Sequence, residues 1–508
     1  MESKIKSVDV MLEYFRKKLE RLYIFTKRNQ LLLILFLLSG FYFVFQHLII
    51  VSWDFSAYVL NARYMFYGGD YFELYRAPLT YILLSPLLIF KKLGEVIYII
   101  LVLILFLYAN IKLSDALFKD NSKISRENIR YIFYFFSLSG FVFLYGFSTG
   151  SELLNLAFIE LFLALLISGR VSGHFLGLAF LSRYNSLIFF PMIFLYKSPK
   201  KIIKNILYFL TIIFPWFFYN FLFHDNWFAS FIDSYTLNIH LRDYLFQEFN
   251  LYLLLPLVNW FSIFFVVGAI YSLFLLFKVS KTANNKSKFK IIVFWIFGFL
   301  VLYEFLQIPL KFERYLFNLS LVIAFFSSIG LMFLLRKFYK IKKLVLLGLL
   351  FSFIATFVVM LSLSIEHSHQ DFPFKSAALD IESLNISECE VLSPYWTPMN
   401  YLTGNVRPLG RNDILGSINA NKAILIFTDK PTIDDVFDFH ELSKYPHLIK
   451  CDRYIILGSK GLSNKNCFKV TPYNQRFAKD PCHILGEKMS EFKLGNFSRK
   501  ICNIVNFN

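Results

Sequence analysis

The stretch Ser52–Pro86, SWDFSAYVLNARYMFYGGDYFELYRAPLTYILLSP, gathers residue types that could do chemistry. It carries a carboxylate, Asp54, then an acidic and basic pair, Glu73 and Arg76, among several tyrosines. It follows directly on the first apolar segment. A carboxylate at a membrane boundary is costly unless it is paired or functional. Asp54, Tyr58 and Asn61 recur at i, i+4 and i+7, so a helix over Asp54–Tyr67 would carry all three on one stripe. Phe55, Val59, Ala62 and Phe66 fall on a neighbouring stripe. The expectation is a helix in the interface plane, with its apolar side in lipid and its polar stripe facing a cavity. The plain alternative is an interfacial helix in which Asp54 serves only as the N-cap.

The elements that must position this stretch are membrane spans. Of 508 residues, 56% are hydrophobic and the mean hydropathy is +0.53, above the ~45–50% apolar share of ordinary soluble domains. The 64 Phe and 30 Tyr suit lipid-facing and interfacial surfaces. The formal charge of +18 is assigned to basic cytoplasmic loops, not to a nucleic-acid partner. Residues 1–29 are charged and helix-prone, which makes them a cytoplasmic segment. The apolar run after them is long enough to span, so it reads as a retained anchor and not a cleaved signal.

Gln30–Ser52 is the first span and delivers Asp54 to the outer face. Further spans are read at Ala77–Phe90, Leu93–Ile111, Tyr131–Phe147, Leu153–Ser168 and Gly173–Tyr196. Five more follow at Ile206–Phe223, Leu251–Phe277, Ile291–Leu306, Tyr315–Leu335 and Leu344–Ser364. The class is a polytopic α-helical membrane protein with about eleven transmembrane helices over residues 30–365. Outer loops fall at 52–76 and 224–250, the second carrying His240 and Arg242. Alternation puts Lys91-Lys92 inside and Lys112–Arg130 outside, although that loop has five basic and three acidic residues. Arg183 lies within a span. A buried arginine there is paired, borders a polar cavity or serves helix packing.

From about Glu366 the composition changes and apolar runs shorten to strand length. Val391-Leu392, Ala423–Phe427 and Tyr454–Leu457 read as strands and Thr432–Leu442 as a helix. Residues 366–508 are expected to form a small extracytoplasmic α/β domain. All five cysteines (Cys389, Cys451, Cys467, Cys482 and Cys502) lie in it, with no zinc spacing. Some are expected in disulfides, and the odd count leaves at least one unpaired.

Four segments in order are similar to the GT-C superfamily of integral-membrane glycosyltransferases, in particular the protein O-mannosyltransferases and the aminoarabinose transferases that modify lipid A. They are Asp54–Leu79, with its Asp, helix, Gly-Gly-Asp and Arg before Pro-Leu, and Ser148–Arg183, a Ser/Thr-x-x-Glu hairpin before a span with an embedded Arg. Pro215–Trp227 and Glu313–Leu316 complete the set. There are departures: Ala77 replaces a proline, Phe55 stands where a second acid is common, and Tyr75 precedes Arg76. The resemblance implies a GT-C-like helix arrangement and a donor sugar on polyprenyl or dolichyl phosphate. The acceptor is then a hydroxyl of a glycan, protein or lipid on the outer side. It makes Asp54 the general base of an inverting transfer and Arg76 and Arg314 the ligands of the donor phosphate. Tyr58, Asn61, Glu73, Arg183, His240 and Arg242 are then candidates for the surrounding cavity.

No cofactor is required by this reading. A divalent cation lacks support, since no convincing acidic pair stands beyond Asp54, Asp70 and Glu73. The alternative within the class is an oligosaccharide transferase using a lipid pyrophosphate. A polytopic transporter is the alternative outside it, and that class favours an internal repeat, which is not apparent here. The bias to Lys, Ile, Asn and Phe points to an AT-rich genome and the cell membrane of a prokaryote.

Overall fold

The computed structural model of the chain describes residues 23–119, 124–148, 150–240, 262–277, 285–409, 414–428 and 444–475, with isolated positions between them. The first apolar run forms α1 (Gln30–Ile49), and a short turn leads into α2 (Trp53–Tyr67). Ser52 caps α2 by accepting from the Phe55 backbone N–H, so Asp54 sits inside the first turn and is not the cap. Helix α2 stops at Gly68, whose φ of 69° is the left-handed conformation that glycine enters at little cost. The strand β1 (Tyr71–Glu73) follows, then α3 (Leu79–Leu84) and a 3₁₀ turn over Ser85–Phe90.

The helical body continues with α4 (Lys92–Phe118), α5 (Arg126–Ser137), α6 (Gly140–Tyr145), α7 (Glu152–Ile167) and α8 (Gly173–Ser182). A 3₁₀ segment over Tyr184–Leu195 leads to α9 (Pro199–His224) and α10 (Ala229–Tyr235). Then come α11 (Ser262–Phe277), α12 (Asn285–Gln307), a 3₁₀ turn at Glu313–Leu316, α13 (Leu319–Lys337) and α14 (Lys342–Ser383). Among the described residues six helices are long and apolar enough to cross a membrane, and shorter apolar helices pack among them. The polytopic helical class stands. At ~1.5 Å per residue the 42-residue α14 is far longer than a ~30 Å bilayer core, and its last turns pack into the C-terminal domain.

Two expected spans take a different course. Lys92 contacts His47 at the end of α1 and Tyr401 of the C-terminal domain, so Leu79–Phe90 returns to the end it left. Twelve residues with a 3₁₀ half are too short for a regular crossing. Lys92 therefore lies at the same end of the body as the C-terminal domain, not at the opposite end expected for it. The loop after α4 is displaced with it: Lys290 reaches the Leu117 carbonyl and Arg130 lies over Phe25, at the basic, N-terminal end of the body. That placement suits its excess of basic residues. The second case is Gly173–Tyr196. Ser172 Oγ and Tyr196 OH are 2.9 Å apart, so this segment is a hairpin whose tip is Arg183.

Phe55, Val59 and Ala62 of α2 do not face lipid. They are buried in the protein core, while Phe66 is exposed. The helix is covered by α3 and by the C-terminal domain, so its apolar stripe finds protein partners.

The C-terminal domain holds β2 (Val391–Ser393), α15 (Trp396–Thr403), β3 (Val406–Pro408), α16 (Ile414–Asn419), β4 (Ala423–Phe427), β5 (His447–Lys450) and β6 (Tyr454–Leu457). These strands form one sheet in the order β3-β2-β4-β6-β5, parallel on the first side and antiparallel on the second. The last described strand, β7 (Tyr473–Gln475), leaves that sheet and pairs in parallel with β1. Cys389 and Cys467 form a disulfide and Cys451 is a free, exposed thiol. Thr432–Leu442, Cys482 and Cys502 lie outside the described residues.

Candidate active site

A cavity of about 520 Å³ opens where α2, the Arg183 hairpin, α12 and the Glu313–Leu316 turn meet. Asp54 stands at its polar end. Its Oδ1 accepts from Arg76 Nη1 at 2.8 Å, and its Oδ2 accepts from Arg314 Nη1. The local fold dictates this convergence. Helix α2 presents Asp54 from its first turn, the chain after β1 brings Arg76 back beneath it, and the 3₁₀ turn swings in Arg314.

Arg76 is held on several sides. Its Nε donates to Glu73, its Nη2 to Tyr75 OH at 3.3 Å, and the guanidinium lies over the Tyr58 and Tyr75 rings. Glu73 is fully buried and accepts from the Tyr71 and Tyr75 hydroxyls. Arg314 packs over Phe312 and Tyr315, and its buried Nε has no partner among the described residues. Burial alone would raise the Asp54 pKa. The Arg314 and Arg76 guanidiniums beside it more than reverse this and hold it below the ordinary carboxylate value. Burial disfavours the charged Arg76, but Glu73, Tyr75 and Asp54 turn the balance and push its pKa well up. Asp54 is ionised and both arginines are charged.

Deeper in the cavity Arg183 pairs with Glu152, and Asn185 donates to Glu304 at 2.6 Å. The remaining wall is mainly apolar, with Leu187, Ile188, Pro191, Phe231, Ile239 and Ile308, and it also carries Ser234, Asn238 and Gln307. Leu187 and Tyr303 on this wall are 38% and 47% exposed, so the wall is not sealed by protein. The Pro215–Trp227 segment builds the neighbouring support. Trp216 Nε1 donates to Tyr184 OH and Ser230 Oγ, and Asn220 to Ser230 Oγ.

No protein-family model matches the sequence, and no curated protein does. Solved structures do match in fold, among them two of ArnT. ArnT from Cupriavidus metallidurans bound to undecaprenyl phosphate superposes with a TM-score of 0.59 at 11% identity, over 86% of this chain and 98% of that one. ArnT from the same organism in the apo state gives 0.52 at 12% identity, over 81% and 94%. This chain has the ArnT fold. The GT-C resemblance carried by the four segments is thus borne out at the level of fold.

Within the ArnT-like fold, Asp54, Tyr58, Arg76, Arg183 and Arg314 come together on one cavity from residues far apart in the chain. Asn61 and Glu73 do not line it. Asn61 instead exchanges two 2.9 Å hydrogen bonds with the Glu73 backbone and locks α2 to β1. The His240 side chain and Arg242 lie outside the described residues. Sequence reasoning passed over Glu152, Asn185 and Glu304 as cavity residues. Glu304 had a signal: it is an acid in the otherwise apolar run VLYEFLQ, the same anomaly that marks Asp54. Among the described residues no group of three His, Cys, Asp or Glu side chains could hold a metal ion.

Proposed function

We propose that this protein is a membrane glycosyltransferase that moves a sugar from a polyprenyl- or dolichyl-phosphate carrier to a hydroxyl acceptor. The observation that carries this reading is the placement of Asp54 between Arg76 and Arg314 at the polar end of a cavity whose remaining wall is mainly apolar and partly exposed. A lipid-linked phosphate has the matching shape, an anion at one end and a hydrocarbon tail at the other. The likeness in fold to ArnT bound to undecaprenyl phosphate supports the same donor class.

In this reading the donor phosphate takes the Arg76 and Arg314 donors, including the unused Arg314 Nε. Its charge then competes for both arginines and loosens their hold on Asp54. Asp54 accepts the proton of the acceptor hydroxyl as the oxygen bonds to the anomeric carbon. The bond from that carbon to the phosphate oxygen breaks, and the polyprenyl phosphate leaves with the electron pair. A single displacement inverts the anomeric centre. Tyr58 stays against Arg76, and Arg183 with Glu152 and Glu304 bounds the space left for the sugar.

The proposed orientation puts residues 1–29 in the cytoplasm and the domain over 366–508 outside it. Residues 30–365 form the membrane domain, with outer loops at 52–76 and 224–250. The basic residues at the end of the body opposite the cavity, among them Lys290 and Lys337, support this. The test is transfer of radiolabelled sugar from a polyprenyl-phosphate donor in vesicles carrying the purified protein. Label should reach an acceptor and the product should have the inverted anomer. Vesicles that carry label across the membrane without transferring it would favour a transporter and end this reading.

A further inference from the structure

We propose that the C-terminal domain completes the donor-phosphate site, with Tyr71 and Thr397 as positioning residues that hold Glu73 and, through it, Arg76. The proposal rests on the donor reading above. Strand β7 pairs with β1 in the register Tyr71↔Tyr473, Phe72↔Asn474 and Glu73↔Gln475. Arg407 forms an ion pair with Asp70 at the start of β1. The domain is thereby joined to the segment that carries Glu73 and leads to Arg76, and not only to the outside of the helical body.

The polar contacts continue inward from that join. Thr397 of α15 lies 2.8 Å from Tyr71 OH, and its Oγ1 donates to Glu73 Oε1 at 3.3 Å. Trp396 Nε1 donates to Tyr71 OH at 2.9 Å, and Tyr71 OH donates to Glu73 Oε1. The other carboxylate oxygen, Glu73 Oε2, receives Tyr75 OH and Arg76 Nε. One oxygen of Glu73 is thus held from the domain and the other holds the arginine. Tyr71, Glu73 and Thr397 are all essentially inaccessible to solvent, and none of them lines the cavity.

A buried carboxylate keeps one orientation only when its lone pairs are satisfied in fixed directions. With Oε1 anchored, Oε2 has one place to be, and the Arg76 fork is set toward Asp54 and the cavity. Without the anchor, Glu73 can turn and the fork turns with it. A domain that served only to meet an acceptor would need no hydroxyl of Thr397 against Glu73.

The experiment uses the full chain in lipid nanodiscs and undecaprenyl phosphate itself as the probe, so no knowledge of the sugar is required. Tyr71→Phe and Thr397→Val keep shape and remove one hydroxyl each. Each should weaken undecaprenyl phosphate binding, Tyr71→Phe by about tenfold and Thr397→Val by a few fold, in line with hydrogen bonds to a buried charge. The unfolding temperature should fall by no more than a few degrees, and Thr397→Ser should restore parent affinity. Parent-like affinity in both variants overturns the proposal. So does a loss of affinity that follows a matching loss of thermal stability and is not restored by Thr397→Ser. If the parent itself fails to bind the probe, the donor reading and this inference fall together.

Discussion

Two carboxylates in this molecule are each held by two nitrogen-bearing side chains where the helical body meets the C-terminal domain. Asp54 sits between Arg76 and Arg314. Glu95 accepts from Lys92 at 2.7 Å, lies 2.7 Å from His47 Nε2 and receives Tyr401 OH at 2.9 Å. By residue type alone the two clusters look alike. They differ in access: the Asp54 side chain is 21% exposed and lines the cavity, whereas the Glu95 side chain is 3% exposed and does not line it. An ion cluster becomes a candidate for chemistry when a ligand can reach it. Otherwise it fastens elements together.

The largest expected effect breaks the comparison at Asp54. Asp54→Asn keeps the shape and removes the base, so single-turnover sugar transfer should fall by about 10²–10⁴-fold. Undecaprenyl phosphate binding should not weaken, because the change also removes the carboxylate that competes for both arginines. Transfer near the parent rate would mean that Asp54 is not the base. Arg76→Ala comes next. It should reduce undecaprenyl phosphate affinity by about 10- to 100-fold, with only part regained in Arg76→Lys, which lacks the planar fork.

The other side of the comparison is Glu95→Gln. Stability should drop by about 1–3 kcal/mol through the loss of a buried charged partner, read as a lower unfolding temperature. Transfer should remain within about twofold of the parent. A large loss of transfer at unchanged stability would place Glu95 in the chemistry and erase the distinction drawn here.

The smallest effect is in the pH dependence. The Asp54 carboxyl is held below its ordinary value, so the folded state binds fewer protons there than the unfolded state. Its contribution to stability is complete above the unfolded value of ~3.9 and is lost as pH falls through the lower folded value. Between about pH 5 and 8 the unfolding temperature should therefore be the same in the parent and in Asp54→Asn apart from a constant offset. An offset that changes across that window would mean that Asp54 titrates near neutrality in the resting protein.

Much of the local structure was legible from residue patterns. The apolar runs became helices because a polytopic chain has few other ways to satisfy its backbone in lipid. The strands at Ala423–Phe427 and Tyr454–Leu457 formed where apolar β-formers cluster. The course of Leu79–Phe90 was not legible. Hydropathy reads it as another span, and only the contacts of Lys92 with His47 and Tyr401 reveal that it turns back. The lipid-facing expectation for Phe55, Val59 and Ala62 failed for a related reason. An apolar stripe has the same composition whether it meets lipid or protein.

The sequence by itself determined that this is a membrane protein, and it marked Asp54, Arg76, Arg183 and Arg314 as charges needing an explanation. Each is an ion in or beside an apolar run, and the cost of such an ion is visible without coordinates. What the tertiary structure decided is how those charges are shared out. Arg76 and Arg314 are both given to Asp54, while Arg183 is given to Glu152. It also brought Glu73 into hydrogen-bond contact with a residue more than three hundred positions later, Thr397. Hydrogen bonds and ion pairs act over a few ångströms, and no sequence interval encodes which distant side chains folding will bring within that reach.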